Sequence, residues 1–565
     1  MYKNRKKNYP YYDVRPCTDM RNLIDESARL FGDRPCIKYK EKNEVKTVTY
    51  AEFKAEVDAF GTALYSLGIG KSKIAIIGEN SYQWILSYLT VLNSDGVVVP
   101  VDKDLPNADT AYILNHAECE AVIYSNAVAD KIGAIKSELP NLKVFIRMNG
   151  VPDDGSGQHR LRDLVDIGVR LLDEGDTSFI SVVPDTKGLK QLMFTSGTTG
   201  SSKGVMLSQG TLAFNVQRAQ ELMLITERCL SVLPYHHSYE ATCGVLTMIH
   251  HGMTICINES LRALMNNFKL YKPTEMLVVP LYIENFYRRI WAAIEEKGKT
   301  ATVKKGIKLS NALLKLGIDK RRKIFAEIHE TFGGELKAII CGGAPLKSHM
   351  VDFFESIGIT LINGYGITEC GPLISINRNE YHNAESVGLP LRDTEIRIDC
   401  PNEDGEGEIC VKGPNVMIGY FKNEKATAEV IKDGWFHTGD IGKIDKDGFV
   451  YITGRCKNLI VLKNGKNIYP EEIEEFLGEI PLIKEVVVYA AKLSGDAGKA
   501  LGAEIYPDFD KAKELGIIDI EDHIKRSIYS YNEKQPPYKA VKQIVFRKEE
   551  FEKTTSKKIK RNYDR

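Results

Sequence analysis

Residues 194–204 read FTSGTTGSSKG. Glycines at 197, 200 and 204, hydroxyls at 195, 196, 198, 199, 201 and 202, and one cation, Lys203, stand between the apolar runs 192–194 and 205–207. Glycine lets successive backbone N–H groups turn toward one point, hydroxyls add donors, and the lysine adds charge. Together these groups make a cradle for a polyphosphate. A plain Ser/Gly linker does not usually hold a lysine between hydrophobic strands.

The two commoner phosphate loops do not fit. A Walker A loop counted from Gly197 would need glycine where Ser202 stands and a hydroxyl where Gly204 stands. A dinucleotide fingerprint counted from Gly364 and Gly366 meets Glu369 at its third glycine. No G-x-S-x-G elbow is present, so no acyl-enzyme serine is called for.

Further along, Tyr365-Gly366-Ile367-Thr368-Glu369 places a carboxylate after a glycine turn, the kind of ligand a hard cation takes together with substrate phosphates. Trp435-Phe436-His437-Thr438-Gly439-Asp440 ends on an acceptor-only carboxylate, suited to paired hydroxyls. Gly454-Arg455-Cys456-Lys457 and the lysine-rich 553–561 follow. Read alone, these are a strand-end turn, a turn aspartate and a solvated basic tail.

In order and rough spacing, the whole set resembles the adenylate-forming superfamily: acyl-CoA synthetases, adenylation domains of peptide synthetases, and luciferases. The resemblance implies ATP contacts at Thr195, Ser196, Gly197, Thr198, Thr199, Gly200 and Lys203, and again at Gly343, Ala344, Asn363, Gly364, Tyr365, Gly366 and Thr368. It implies adenine stacking on Tyr365, Mg²⁺ on Glu369, the ribose on Asp440 with Arg455, and a hinge at Lys457. Lys558 matches the catalytic lysine, beside Lys557 where many members have glycine. Thr195, His237, Glu369 and Lys558 are the residues it makes catalytic. The reaction implied is attack of a carboxylate on the α-phosphate of ATP, giving an acyl-adenylate and pyrophosphate, then thiol attack with loss of AMP.

Amino-acid-activating relatives usually place an aspartate in the segment after L-P. Here that segment reads Tyr235-His236-His237-Ser238-Tyr239-Glu240 and resembles the H-x-Y-E form of long-chain fatty acyl-CoA synthetases. The bland alternative for the two histidines is a satisfied, partly buried pair. A long acyl chain gains about 0.8 kcal/mol per buried CH₂, so an apolar tunnel is the expected receptor. The partners implied are a long-chain fatty acid and CoA. An acyl carrier protein acting in trans is the alternative acceptor, and a catalytically silent nucleotide-binding scaffold is the alternative of another class. Residues 304–323 carry Lys304, Lys305, Lys308, Lys315, Lys320, Arg321, Arg322 and Lys323 against Asp319 alone, with leucines and isoleucines between. That pattern reads as a solvated helix face or as a patch for anionic lipid.

The elements that position these residues follow from periodicity. Across the first two-thirds, short apolar strands such as 73–78, 96–101 and 121–124 alternate with helical patterns such as 82–93, the signature of largely parallel, covered sheets. After Arg392, short alternating strands with Gly/Asp turns appear, and from about Lys457 a small α+β unit. The expected fold is α/β: a large N-terminal domain of several subdomains (1–455) with largely parallel sheets and a distorted β-barrel-like part, then a small mobile α+β domain (456–565).

A chain of 565 residues exceeds a single core. Lys+Arg and Asp+Glu both number 76, so no global charge argues for a nucleic-acid partner. The eleven cysteines show no metal or disulfide spacing, which points to a reducing cytoplasm. No apolar run approaches a membrane span, leaving a soluble, cytoplasmic protein that at most touches the inner face of a membrane.

Overall fold

The structure is a computed structural model that describes residues 9–42, 44–150, 158–195, 202–461, 467–492, 499–553, 559 and 561. The chain divides into two compact units. The larger takes residues 1–395 and 411–436, the smaller 396–410 and 437–565.

Two sheets organise the larger unit. In the first, nine strands run in the order Leu389–Pro390, Leu373–Ile376, Thr360–Gly366, Ala338–Cys341, Glu275–Val278, Arg228–Ser231, Thr254–Ile257, Pro35–Glu41 and Glu44–Thr49. Its central pairs are parallel. Strands such as Thr254–Ile257 and Ala338–Cys341 are buried at every position, as a sheet covered on both faces requires. The helix Pro280–Glu296 covers part of it by burying Ile283, Phe286, Ile290 and Ile294, a one-faced stripe at helical spacing.

The second sheet has eight strands in the order Gly419–Tyr420, Lys203–Ser208, Leu189–Thr195, Val97–Val101, Lys73–Ile77, Ala121–Tyr124, Val144–Arg147 and Gln158–Arg160. It is parallel from Leu189–Thr195 to Gln158–Arg160 and antiparallel at the other edge. The glycine- and hydroxyl-rich loop therefore joins two paired strands near a sheet edge.

In the smaller unit, strands Ile483–Lys492, Lys499–Pro507 and Val541–Phe546 form a mixed sheet. Helices Pro470–Leu477 and Ile520–Asn532 bury Ile473, Leu477, Ile524 and Ile528 within that unit's core. The region read as barrel-like holds a five-stranded sheet that includes Glu395–Asp399, Gly407–Lys412, Trp435–Ile444 and Val450–Arg455. All eleven cysteines are free thiols. Among the described residues no helix is long and apolar enough to cross a membrane.

Candidate active site

Thr195 and Lys203 are register partners, the last pair of the antiparallel ladder that feeds the hydroxyl-rich loop. Residues 196–200 of the expected phosphate cradle lie outside the described residues, but both ends of the loop are fixed. Lys203 Nζ sits 4.8 Å from the ring centre of Tyr420, whose own strand pairs with Lys203–Ser208. The Tyr420 hydroxyl donates to Glu369 Oε1 at 2.9 Å. Burial, and then the Glu369 charge, push the Tyr420 phenol well above its ordinary value, so it stays a donor. A lysine, a phenol and a carboxylate distant in sequence thus form one chain of contacts.

The Thr360–Gly366 strand and the short turn after it present Thr368 and Glu369. Gly366 is required there: a Cβ would meet the Pro372 carbonyl oxygen at 2.2 Å. The Glu369 carbonyl accepts from the Met417 N–H at 2.7 Å, tying the turn to the segment that delivers Tyr420. Thr368 Oγ1 lies 3.2 Å from Ser238 Oγ, which brings the 235–240 segment to the same place. Tyr239 donates to the Ile340 carbonyl at 3.1 Å and packs beside Gly342, at the turn that carries Gly343 and Ala344. Gly343 adopts φ +85°, and both it and Ala344 are exposed. Tyr365 and Asn363 are buried, and Asn363 Oδ1 has no hydrogen-bond partner.

The histidine pair divides. His236 is mostly covered, lies 3.5 Å from Asp102, and burial lowers its proton affinity. His237 is exposed beside Ser238. Glu240 is wholly buried at the start of the π-helical turn Tyr239–Leu246, with Ser231 Oγ 2.5 Å from its Oε1. Burial pushes its carboxyl up to about 8. Gly244 makes room for it, since a Cβ there would fall 2.6 Å from the carboxyl carbon.

In the smaller unit Asp440 is buried, paired along the backbone with Arg455, and 2.8 Å from Arg455 Nε. Gly439, at φ +72°, turns the chain so that its N–H donates to Glu408 at 2.9 Å. Lys457 follows in the turn Cys456–Asn458. Lys558 and Lys557 lie outside the described residues.

Sequence reasoning missed Tyr420 and Asp102, and gave Ser238 no role of its own. Tyr420 sits in a two-residue strand, Gly419–Tyr420, too short to carry a periodic signal. The basic segment splits in function. Arg321 and Arg322 donate to the carbonyls of Glu355 and Leu336, each at 2.7 Å, so they hold the fold. Lys304, Lys305, Lys308, Lys315, Lys320 and Lys323 are exposed, as are Leu309, Leu316 and Ile318.

The sequence model of the AMP-binding enzyme family matches residues 24–421. A long-chain-fatty-acid–CoA ligase of Mycobacterium bovis, FadD15, is 29% identical over 480 residues, which cover 82% of this chain and 77% of the relative. The chloroplastic long-chain-fatty-acid–[acyl-carrier-protein] ligase AEE15 of Arabidopsis thaliana is 28% identical over 582 residues, covering 89% and 78%. In fold, the chain is similar to the anthranilate CoA ligase AuaEII solved with anthranoyl-AMP, with TM-score 0.77, 17% identity, and coverage of 98% and 96%. It is also similar to a Mycobacterium tuberculosis fatty acyl CoA synthetase, with TM-score 0.65, 20% identity, and coverage of 96% of both chains.

Proposed function

This chain belongs to the adenylate-forming AMP-binding enzyme family, and from that premise we propose that it ligates a long-chain fatty acid to CoA, releasing AMP and pyrophosphate. The observation that carries the reading is the Lys203–Tyr420–Glu369 chain at the base of the hydroxyl-rich loop. It sets a cation for the β/γ-phosphates beside a carboxylate for their counter-ion.

A free carboxylate resists thiols because oxide is a poor leaving group. Its attack on the α-phosphate gives a mixed anhydride with pyrophosphate departing, and the thiol then displaces AMP. Charge grows on phosphate oxygens in the first step, so preorganised donors and cations supply most of the acceleration. The Thr195–Lys203 loop and Lys558 supply them. Glu369 would hold Mg²⁺, which neutralises phosphate charge when bound. Tyr420, by donating to Oε1, fixes the orientation of that carboxylate. Tyr365 stacks on adenine, and the buried, unpartnered Asn363 Oδ1 is an acceptor suited to an exocyclic amino group. Asp440 with Arg455 takes the ribose, and rotation at Lys457 separates the two half-reactions. His237, exposed next to the Ser238 that meets Thr368, is assigned to the acyl substrate on this reading.

The exposed lysines of 304–323 suit an anionic membrane face, where fatty acids partition. Lys305, Leu309 and Leu316 share one helical stripe, with Lys304, Lys308 and Lys315 on the next. The likeness to an acyl-carrier-protein ligase keeps a carrier protein as the second acceptor.

The test is sequential. The enzyme, palmitate, ATP and labelled pyrophosphate are combined without thiol, then CoA or a carrier protein is added. Exchange of pyrophosphate followed by acyl-CoA is the expected result. Transfer to the carrier alone would reassign the acceptor, and absence of exchange with every carboxylate would leave the scaffold reading.

A further inference from the structure

Three strands of the five-stranded sheet lie side by side, Glu395–Asp399, Gly407–Lys412 and Trp435–Ile444, and each contributes one metal-ligating side chain to a single spot. An oxygen of Asp399, Cys410 Sγ and a ring nitrogen of His437 all lie within 4.8 Å of one another. Cys410 Sγ is 3.4 Å from His437 Nδ1. Two ligands on one tetrahedral zinc, with Zn–S of about 2.3 Å and Zn–N of about 2.0 Å, stand roughly 3.5 Å apart. Glu408 Oε2 lies 2.9 Å from the same His437 nitrogen and accepts its proton. We propose that Asp399, Cys410 and His437 form a binding site for a zinc-class divalent transition ion, with solvent completing its shell.

The donor set chooses the ion. One thiolate, one imidazole and carboxylate oxygens suit Zn²⁺ or Co²⁺ and disfavour Mg²⁺, which takes oxygen ligands. Binding replaces the thiol proton, which leaves to solvent, and moves the His437 ring proton from Nδ1, where it points at Glu408, to Nε2, so that the Nδ1 lone pair is free for the ion. One group opposes the ion: the Arg397 guanidinium, 3.9 Å from Asp399 Oδ1 and beside Cys410, must swing away.

The site has a route to the nucleotide motif. Glu408 bridges His437 through Oε2 and the Gly439 N–H through Oε1 at 2.9 Å, one residue before Asp440. An ion that captures His437 takes it from Glu408 and so disturbs the turn that sets Asp440, which raises the KM for ATP. This consequence, unlike the binding itself, rests on the proposed ribose role of Asp440.

The full chain, stripped with chelator, is titrated with Co²⁺ while absorbance is followed, and Zn²⁺ is then used to displace it. A thiolate-to-cobalt charge-transfer band saturating at one ion per chain is expected. Cys410→Ser should abolish the band, while His437→Gln and Asp399→Asn should weaken binding at least tenfold. Arg397→Gln should tighten it, an effect that loss of folding cannot imitate. Cys400→Ser controls for the exposed neighbouring thiol and should change nothing. A band that survives Cys410→Ser, no band in the unsubstituted chain, or weaker binding in Arg397→Gln overturns the site. Saturable binding with no rise in the KM for ATP leaves the site standing and overturns its coupling to Asp440.

Discussion

Glu240→Gln isolates the cost of one buried carboxyl. Glu240 is fully enclosed, one oxygen meets Ser231 and the other has no partner. Burial lifts it from the ordinary 4.5 to about 8. In the unfolded chain the carboxyl ionises near pH 4.5; in the folded chain it keeps its proton to about pH 8. The folded state binds more protons across that window, so stability is full below pH 4.5, declines as pH rises, and levels off above pH 8. At 1.36 kcal/mol per tenfold change in proton affinity, the whole window is worth roughly 5 kcal/mol, and the part between pH 5 and pH 8 about 3–4 kcal/mol. Glutamine keeps a carbonyl for Ser231 and cannot ionise. All three tryptophans, Trp84, Trp291 and Trp435, lie in the larger unit, so their fluorescence in urea follows the unit that holds Glu240. The stability difference between variant and parent should shift toward the variant by that amount from pH 5 to pH 8. Taking the difference cancels other titrating groups. A difference that does not change with pH would show the carboxyl to be solvated and ionised, and would refute the reasoning.

Tyr420→Phe removes the hydroxyl that orients Glu369. A hydrogen bond to a charged group is worth about 1.5–3 kcal/mol, so kcat/KM for MgATP should fall about 10- to 100-fold with thermal stability nearly unchanged; an unchanged kcat/KM would remove Tyr420 from the site. Lys558→Ala should slow pyrophosphate exchange by about 10²–10³ while largely sparing thioester formation from pre-made acyl-adenylate, measured by rapid quench; equal loss of both steps would deny the lysine its assigned half-reaction. Lys304→Glu with Lys308→Glu should weaken cosedimentation with phosphatidylserine-containing vesicles by at least tenfold, since each lysine near such a surface contributes about 1 kcal/mol; undiminished binding would clear residues 304–323 of that role.

Local pattern carried the strands well. The runs 73–78 and 121–124 became Lys73–Ile77 and Ala121–Tyr124, and the helix read at 82–93 became Tyr82–Leu92. These are continuous apolar stretches or one-faced stripes, which burial alone dictates. The order of motifs identified the family, yet the means by which Lys203 meets Glu369 was hidden. That link runs through Tyr420, placed by pairing Gly419–Tyr420 with a strand more than 200 residues earlier. Nothing local announces such a pairing. The π-helical turn at Tyr239–Leu246 was equally silent, and so was the burial of the Glu240 carboxyl over Gly244 within it. The two-way split of residues 304–323 also needed coordinates, since Arg321 and Lys320 look alike until one of them is found bonding a carbonyl.

The strand Pro35–Glu41 finds its parallel neighbour only in Thr254–Ile257, with Ile37 opposite Ile255. At about 5–20 residues per second, a ribosome needs roughly 10–45 s to make the stretch between them. For that time the backbone groups with which Pro35–Glu41 meets that strand have no partner. An unpaired strand edge is a template for pairing with another chain, and the interval before Thr254–Ile257 is made is when this one stands open.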